Sequence, residues 1–292
     1  ITMSVVNTNV AASVAQAALT RNERALGAAM EKLSTGKRIN SAADNAAGLA
    51  ISAQMTSQIR GLGVAVSNAN DAISMVNTAD GALDEITTML QRMRELAVQA
   101  GTGTTAATDR TYLQSEFTAL RTEIDRIADN TQWNGRNILD GSAGASTGKS
   151  TVAFGIGQDG TAAQTLSTSF GNFNNTTGAL SGLASKIITG TSSTTASAIT
   201  VAAAAIVEID VVIGDVSSQR ATFGAVSNRL THAVDNLTNV KTNAQAARSR
   251  ILDTDYASAT SELARTQIIQ QAGTAMLAQA NQLPQTVLAL LQ

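Results

Sequence analysis

Cysteine is absent from the 292 residues, so neither disulfides nor thiolate metal sites can form. A single proline, Pro284, leaves helix propagation almost uninterrupted. Aromatic residues make up only 3% of the chain, too few to fill the thick core of a globular enzyme of this length. The one histidine, His232, rules out histidine metal clusters and leaves a Ser-His-Asp triad without a second base. It sits among Asn228, Arg229, Asp235 and Asn236 and reads as part of a solvated helix face. The net charge of −2 offers no basic stripe for a nucleic acid. Charge is also missing locally: residues 1–20 and 266–292 contain no Asp, Glu, Lys or Arg.

What remains is small and aliphatic. Ala, Val, Leu and Ile supply most of the 43% apolar content, a composition suited to helices packed along narrow seams. The uncharged stretches keep a helical apolar stripe. Val6, Val10, Val14 and Ala17 recur at three- and four-residue steps, as do Ile269, Ala272, Met276, Ala280, Leu283, Val287 and Leu290. Chain ends usually fray in water. Two long neutral amphipathic segments read instead as surfaces awaiting burial against copies of themselves. Residues 1–20 have neither the basic nor the apolar region of a Sec-type signal peptide. Seven Gln and Asn residues between Gln267 and Gln285 break any membrane span in 266–291.

The periodicity predicts four long helices and one shorter one. The first runs from about Asn9 to Leu33 and stops at Gly36, a left-handed C-cap. The second starts near Asp44 as N-cap and continues to about Ala100, with Leu62, Val66, Ala69, Ile73, Val76, Leu83, Leu90 and Ala97 in its seam. At ~1.5 Å per residue it would reach roughly 85 Å, which implies a rod. Residues 108–129 read as a helix folding back, with Leu113, Phe117, Leu120, Ile124 and Ile127 inward. A third long helix covers about 202–251, its seam carrying Ile206, Ile209, Ile213, Val216, Phe223, Leu230, Val234, Leu237 and Ala244. Gly214 and Gly224 weaken it. The fourth covers about 254–291, bent or divided at Pro284.

Between Ile138 and Thr200 the composition turns to Gly, Ser, Thr and Asn, and the runs Thr151–Phe154 and Lys186–Thr189 read as hairpin strands. The fold class is therefore mainly α: a long antiparallel helical rod or coiled coil pairing N- and C-terminal segments, with a small β-hairpin region in the middle. Two phosphate-loop look-alikes fall in that region. Ala143–Ser150 fits a relaxed Walker A pattern by letter, but a Gly/Ser loop precedes it and a β-like run follows. Gly155–Gly160 fits GxGxxG without opening a helix. Both read as turns. Glu123, Asp125 and Asp129 are spaced for a helix surface, and Trp133 reads as a packing anchor. Neither catalytic residues, nor a metal site, nor a cofactor is expected.

Several segments resemble those of a known family. Leu33-Ser-Thr-Gly-Lys-Arg-Ile-Asn-Ser-Ala-Ala-Asp-Asn-Ala-Ala-Gly-Leu-Ala-Ile51 closely resembles the corresponding stretch of bacterial flagellins. So do Gln91-Arg-Met-Arg-Glu-Leu-Ala-Val-Gln99, Trp133-Asn-Gly135 and Ala280-Asn-Gln-Leu-Pro-Gln-Thr-Val-Leu-Ala-Leu-Leu291. The resemblance covers roughly 3–140 and 200–292. It implies a secreted, extracellular subunit of the flagellar filament, exported unfolded through the flagellar type III channel. Its implied partners are other flagellin subunits, an export chaperone, and the cap and hook-junction proteins.

The resemblance also implies a division of the chain. Residues 3–43 with 255–292 would form an inner-tube coiled coil, and 44–140 with 200–254 an outer-tube helical rod. Residues 141–199 would be a short variable segment in place of large outer domains. Polymerisation would fall to Val10, Val14, Ile269, Met276, Leu283, Val287 and Leu290. In the monomer, Arg92, Leu96 and Glu116 would meet the host Toll-like flagellin receptor, with Met93 where the family usually has Val. The alternative reading is a surface-displayed adhesin or glycan-binding protein on the same scaffold. Ser192, Ser193, Thr194 and Thr195 form a solvated loop open to O-glycosylation.

Overall fold

The computed structural model describes residues 8–143, 151–158, 164–174, 178–184, 188 and 195–289. In chain order these form α1 (Val10–Thr35), α2 (Ala42–Ala100), α3 (Ala107–Asn130), β1 (Gln132–Trp133), β2 (Arg136–Asn137), β3 (Thr151–Gly155), β4 (Thr165–Ser169), α4 (Ser181–Ala184), α5 (Thr195–Leu252) and α6 (Tyr256–Ala289). The chain divides into two compact units, Ile1–Ile59 with Thr242–Gln292, and Arg60–Lys241. Long helices with small hairpins in the middle are what the composition predicts.

In the first unit α1 packs along α6. Asn9 caps α1, its side-chain oxygen accepting from the Ala12 N–H at 3.0 Å. Gly36 ends the helix at φ +69, a left-handed conformation that glycine adopts without strain. The links on either side of this pair are tied together. Arg38 N–H donates to the Leu252 carbonyl at 2.7 Å, and Thr254 N–H to the Gly36 carbonyl at 3.0 Å. Arg38 Nη2 adds a bond to the Ile251 carbonyl at 2.6 Å. Gly36 also lies under the Tyr256 hydroxyl, where a β carbon would come within 2.9 Å.

The start of α2 differs from expectation. Asn45, not Asp44, begins the uninterrupted helix: its backbone is extended at φ −166 and ψ 97, and its Oδ1 accepts from the Gly48 N–H at 2.8 Å. Asp44 holds the preceding turn, one carboxylate oxygen taking the N–H groups of Asn40 (3.0 Å) and Ser41 (2.9 Å). These bonds, that from Ser41 first, draw the Asp44 carboxyl below its ordinary range.

In the second unit the buried residues of α2 step by three and four without a break: Leu62, Ala65, Ala69, Ala72, Val76, Ala79, Leu83, Ile86, Leu90, Met93, Ala97 and Ala100. This heptad repeat faces one on α5 carried by Ala202, Ala205, Ile209, Val212, Val216, Phe223, Val226 and Leu230. The two helices run antiparallel, tied by Arg94 to Asp210 (2.7 Å) and by Arg220 to Asp80 (2.9 Å) and Asp84 (2.8 Å). Helix α3 adds Phe117, Ile124 and Ala128 to the same core. Helix α5 begins at Thr195, earlier than expected. Its Ser/Thr-rich first turns look like loop by composition.

Two antiparallel hairpins complete this unit. Trp133 pairs with Arg136 across Asn134 and Gly135, both at positive φ, the tight turn that an Asn-Gly pair favours. Strand β3 pairs with β4 from Thr151↔Ser169 to Gly155↔Thr165. Phe170, just past β4, stacks tilted on Phe223 of α5 with centroids 5.1 Å apart. Of the strand expected at Lys186–Thr189 only Ile188 lies among the described residues. It is buried, and its N–H donates to Gln114 Oε1 at 2.6 Å.

Candidate assembly faces

The seam between α1 and α6 is made of neutral residues. On α1 it carries Asn9, Ala12, Ala15, Leu19, Asn22, Leu26 and Ala29, and on α6 Ala259, Leu263, Thr266, Gln270, Gly273, Leu277 and Ala280. Leu19 fits over Gly273, where a β carbon would lie 2.7 Å from Leu19 Cδ2. Two carboxamides cross the seam: Asn9 Nδ2 to the Ala280 carbonyl at 2.8 Å, and Asn22 Nδ2 to the Thr266 carbonyl at 2.7 Å.

A second set of large apolar residues points elsewhere. Val10, Val14, Ile269 and Met276 are 61%, 64%, 46% and 65% exposed. Of the periodic stripe read from the sequence, Val10, Val14, Ala17, Ile269, Ala272 and Met276 are on the outer surface of the pair, whereas Ala280 is buried in the internal seam. Of the other residues expected to polymerise, the side chains of Leu283 and Val287 and all of Leu290 lie outside the described residues. Helix α6 continues through Pro284 undivided.

On the second unit Arg92 holds two acids at once. It meets Glu95 one turn along α2 at 2.9 Å and Glu116 on α3 at 2.9 Å. The hydrogen bond to Glu95, then that to Glu116, stabilises the charged guanidinium further. Leu96 does not share this surface. At 1% exposure it packs in the core beneath, because α3 closes over that side of α2. The family resemblance had grouped all three as one contact set.

Among the described residues, neither phosphate-loop look-alike is joined to a helix. Of Ala143–Ser150 only Ala143 is described, and it is buried; Thr151, which follows, begins a strand. Gly155 ends β3, and Gly160 lies outside the described residues. His232 is exposed on α5. Among the described residues no helix is long and apolar enough to cross a membrane.

Paired long helices, a charge-free helical surface studded with large aliphatic side chains, and strict heptad seams define a structural protein that builds polymers. Family comparison makes the class specific. Residues 6–144 match the bacterial flagellin N-terminal helical region and residues 206–291 the bacterial flagellin C-terminal helical region. A flagellin of Bacillus subtilis is 42% identical over 304 aligned residues, spanning 98% of this chain and 99% of the relative. The flagellar filament 33 kDa core protein of Treponema phagedenis is 40% identical over 99% of this chain and 100% of its own. The fold is shared with a solved flagellar hook-associated protein of Vibrio parahaemolyticus, at TM-score 0.60 and 13% identity, covering 72% of this chain and 100% of that one. The chain belongs to the bacterial flagellins and is a structural subunit of the flagellar filament.

Proposed function

We propose that the outward faces of α1 and α6 are the polymerisation surfaces, with Val10, Val14, Ile269 and Met276 as described contacts and with Leu283, Val287 and Leu290, which continue the same repeat in the sequence, as further ones. The observation that carries this reading is the exposure of large aliphatic side chains on segments that contain no charge. Burying a charge costs several kcal/mol unless it is paired, so a surface destined for a polymer interior excludes charge. Residues 3–43 with 255–292 then line the inner tube, 44–140 with 200–254 form the outer-tube rod, and 141–199 is the short variable segment. The subunit is secreted unfolded through the flagellar type III channel with an export chaperone. It is added beneath the cap beyond the hook-junction proteins.

The test is seeded polymerisation of Val14→Glu and Met276→Glu, followed by sedimentation and electron microscopy. Both side chains are solvent-facing in the folded chain, so helicity and soluble yield should match the parent while filaments fail to grow. Filaments of parental length from both variants would remove the proposal.

The monomer also presents the Arg92–Glu116 pair as a contact for the host Toll-like flagellin receptor, with Leu96 supporting that face from the core. Arg92→Ala should lower receptor activation by monomer at an unchanged melting temperature. Unchanged potency would remove this contact.

A further inference from the structure

Register is an unusual problem for α1 and α6. Their seam mixes alanines with Leu19, Leu26, Leu263 and Leu277, and a slip of one heptad sets Leu26 in the place of Leu19 over Gly273, so packing of like residues discriminates poorly between alignments. The common alternative device, flanking ion pairs, does not link α1 to α6 among the described residues: residues 1–20 and 266–292 carry no charge, and Arg265 pairs with Glu262 on its own helix. Beyond the backbone bonds of Arg38 to Leu252 and of Thr254 to Gly36 at one end of the pair, the body of the seam needs a further mark of alignment.

Pro284 supplies a landmark. It lies within α6, and proline has no N–H, so the carbonyl four residues earlier, that of Ala280, loses its ordinary helical donor. Ala280 is buried, and a buried carbonyl left unpaired is destabilising. The donor comes from the other helix: Asn9 Nδ2 reaches the Ala280 oxygen at 2.8 Å. Every other carbonyl in the described body of α6 is followed four residues on by a residue that has an N–H, so the freed acceptor occurs once. About two heptads further along α1, Asn22 makes the same kind of bond to Thr266, at 2.7 Å and in a buried setting.

We infer that Asn9 and Pro284 form a register lock: the chain's one proline exposes one acceptor, and the Asn9 carboxamide finds it only in the correct alignment of α1 with α6. Asn22 reinforces that alignment without creating its uniqueness. The lock decides which outward side chains of α1 and α6 stand level with one another. In that respect it rests on the assembly function proposed above.

Because the chain has no cysteine, register can be read by disulfide trapping in the full-length protein. Leu19→Cys with Gly273→Cys reports the alignment described here, and Leu26→Cys with Gly273→Cys reports a slip of one heptad. The ratio of the two yields is measured in soluble protein and in sedimented filaments. Asn9→Ala should lower the ratio by about fivefold or more. In a Pro284→Ala background, where residue 284 regains its N–H, the same substitution should change it by less than about twofold. Asn9 also caps α1, but that loss is common to both backgrounds and cancels in the comparison. Equal effects in the two backgrounds, or no effect in either, would overturn the lock, as would a parent without a preferred disulfide in either state. Parent protein that keeps the preference but never sediments would instead remove the assembly function and leave the lock standing.

Discussion

Gly48 lies directly beneath Ile39: a β carbon at position 48 would sit 2.6 Å from Ile39 Cδ1 and 3.1 Å from the Asn45 side chain. Ile39 is 2% exposed and has nowhere to retreat. The link between α1 and α2 is thereby folded onto the first turn of the long helix, which explains why an isoleucine and a glycine stand nine residues apart in this segment.

The contest at Gly48 is between helix propensity and space. Alanine gains up to about 1 kcal/mol over glycine in a helix interior, whereas overpacking costs typically 1–3 kcal/mol. The clash wins here because it also presses on the Asn45 carboxamide that caps the Gly48 N–H. Gly48→Ala should destabilise by about 1 kcal/mol in urea titrations. Ile39→Val removes the obstructing methyl, and in that background Gly48→Ala should be neutral or stabilising. Additive effects of the two substitutions would contradict this account.

Gly214 and Gly224 present the opposite case. Both are exposed within α5, and a β carbon at either would meet nothing within 4 Å. Gly214→Ala and Gly224→Ala should each raise stability of the soluble protein by about 0.5–1 kcal/mol, read as a higher urea midpoint at constant slope. If filament growth is lost while soluble stability rises, these glycines make room for a neighbouring subunit.

The long seams were legible because Leu62, Leu83, Leu90, Ile209, Val216 and Leu230 repeat at helical spacing. Their alanine half was less visible: Ala65, Ala72, Ala79, Ala202 and Ala205 are fully part of the core, yet alanine is equally common on helix surfaces. The uncharged segments misled in a more instructive way. Large residues at helical spacing usually mark the internal face, and Leu19, Leu26, Leu263 and Leu277 do so here, but α1 and α6 also carry a second stripe that leaves Val14 and Met276 outside. A periodic stripe gives the face that wants burial without saying whether its partner is the same chain or another. Leu96 is buried for a related reason, since one more helix, α3, covers its side of α2. The lock at Pro284 was invisible because the carbonyl that it frees belongs to the backbone.

Asp44 sets a pH dependence. Its carboxylate accepts the Ser41 and Asn40 N–H groups, which lowers its pKa below the ordinary 3.8. A carboxylate with a lowered folded pKa adds stability that is fully present above the unfolded value and is lost as pH falls through the folded value. Asp44→Asn should therefore melt below the parent at pH 6, and the gap should close as both are taken below the ordinary carboxylate range. A gap that stays constant down to pH 2 would assign the effect to shape instead of charge.

Thr168 carries a buried hydroxyl oxygen with no hydrogen-bond partner. Its side chain is on the covered face of β4 between Leu166 and Phe170, and the residue is 3% exposed. Removing a hydroxyl from water without a new partner costs about 1–3 kcal/mol, and a methyl group of similar size carries no such penalty. Thr168→Val should accordingly stabilise the second unit, by about 1 kcal/mol, while Thr168→Ser keeps the hydroxyl, loses the methyl contact and destabilises by a similar amount. Thermal melts of the two variants separate the terms: valine raises the midpoint if the hydroxyl is the liability, and lowers it if that oxygen is bonded in solution. The comparison matters for β3 and β4 because they form a two-stranded sheet, and such a pair has little stability of its own. Its face on the α2–α5 core, through Leu166 and Phe170, must hold it in place. One misplaced polar atom on that face therefore weighs more than it would in a larger sheet.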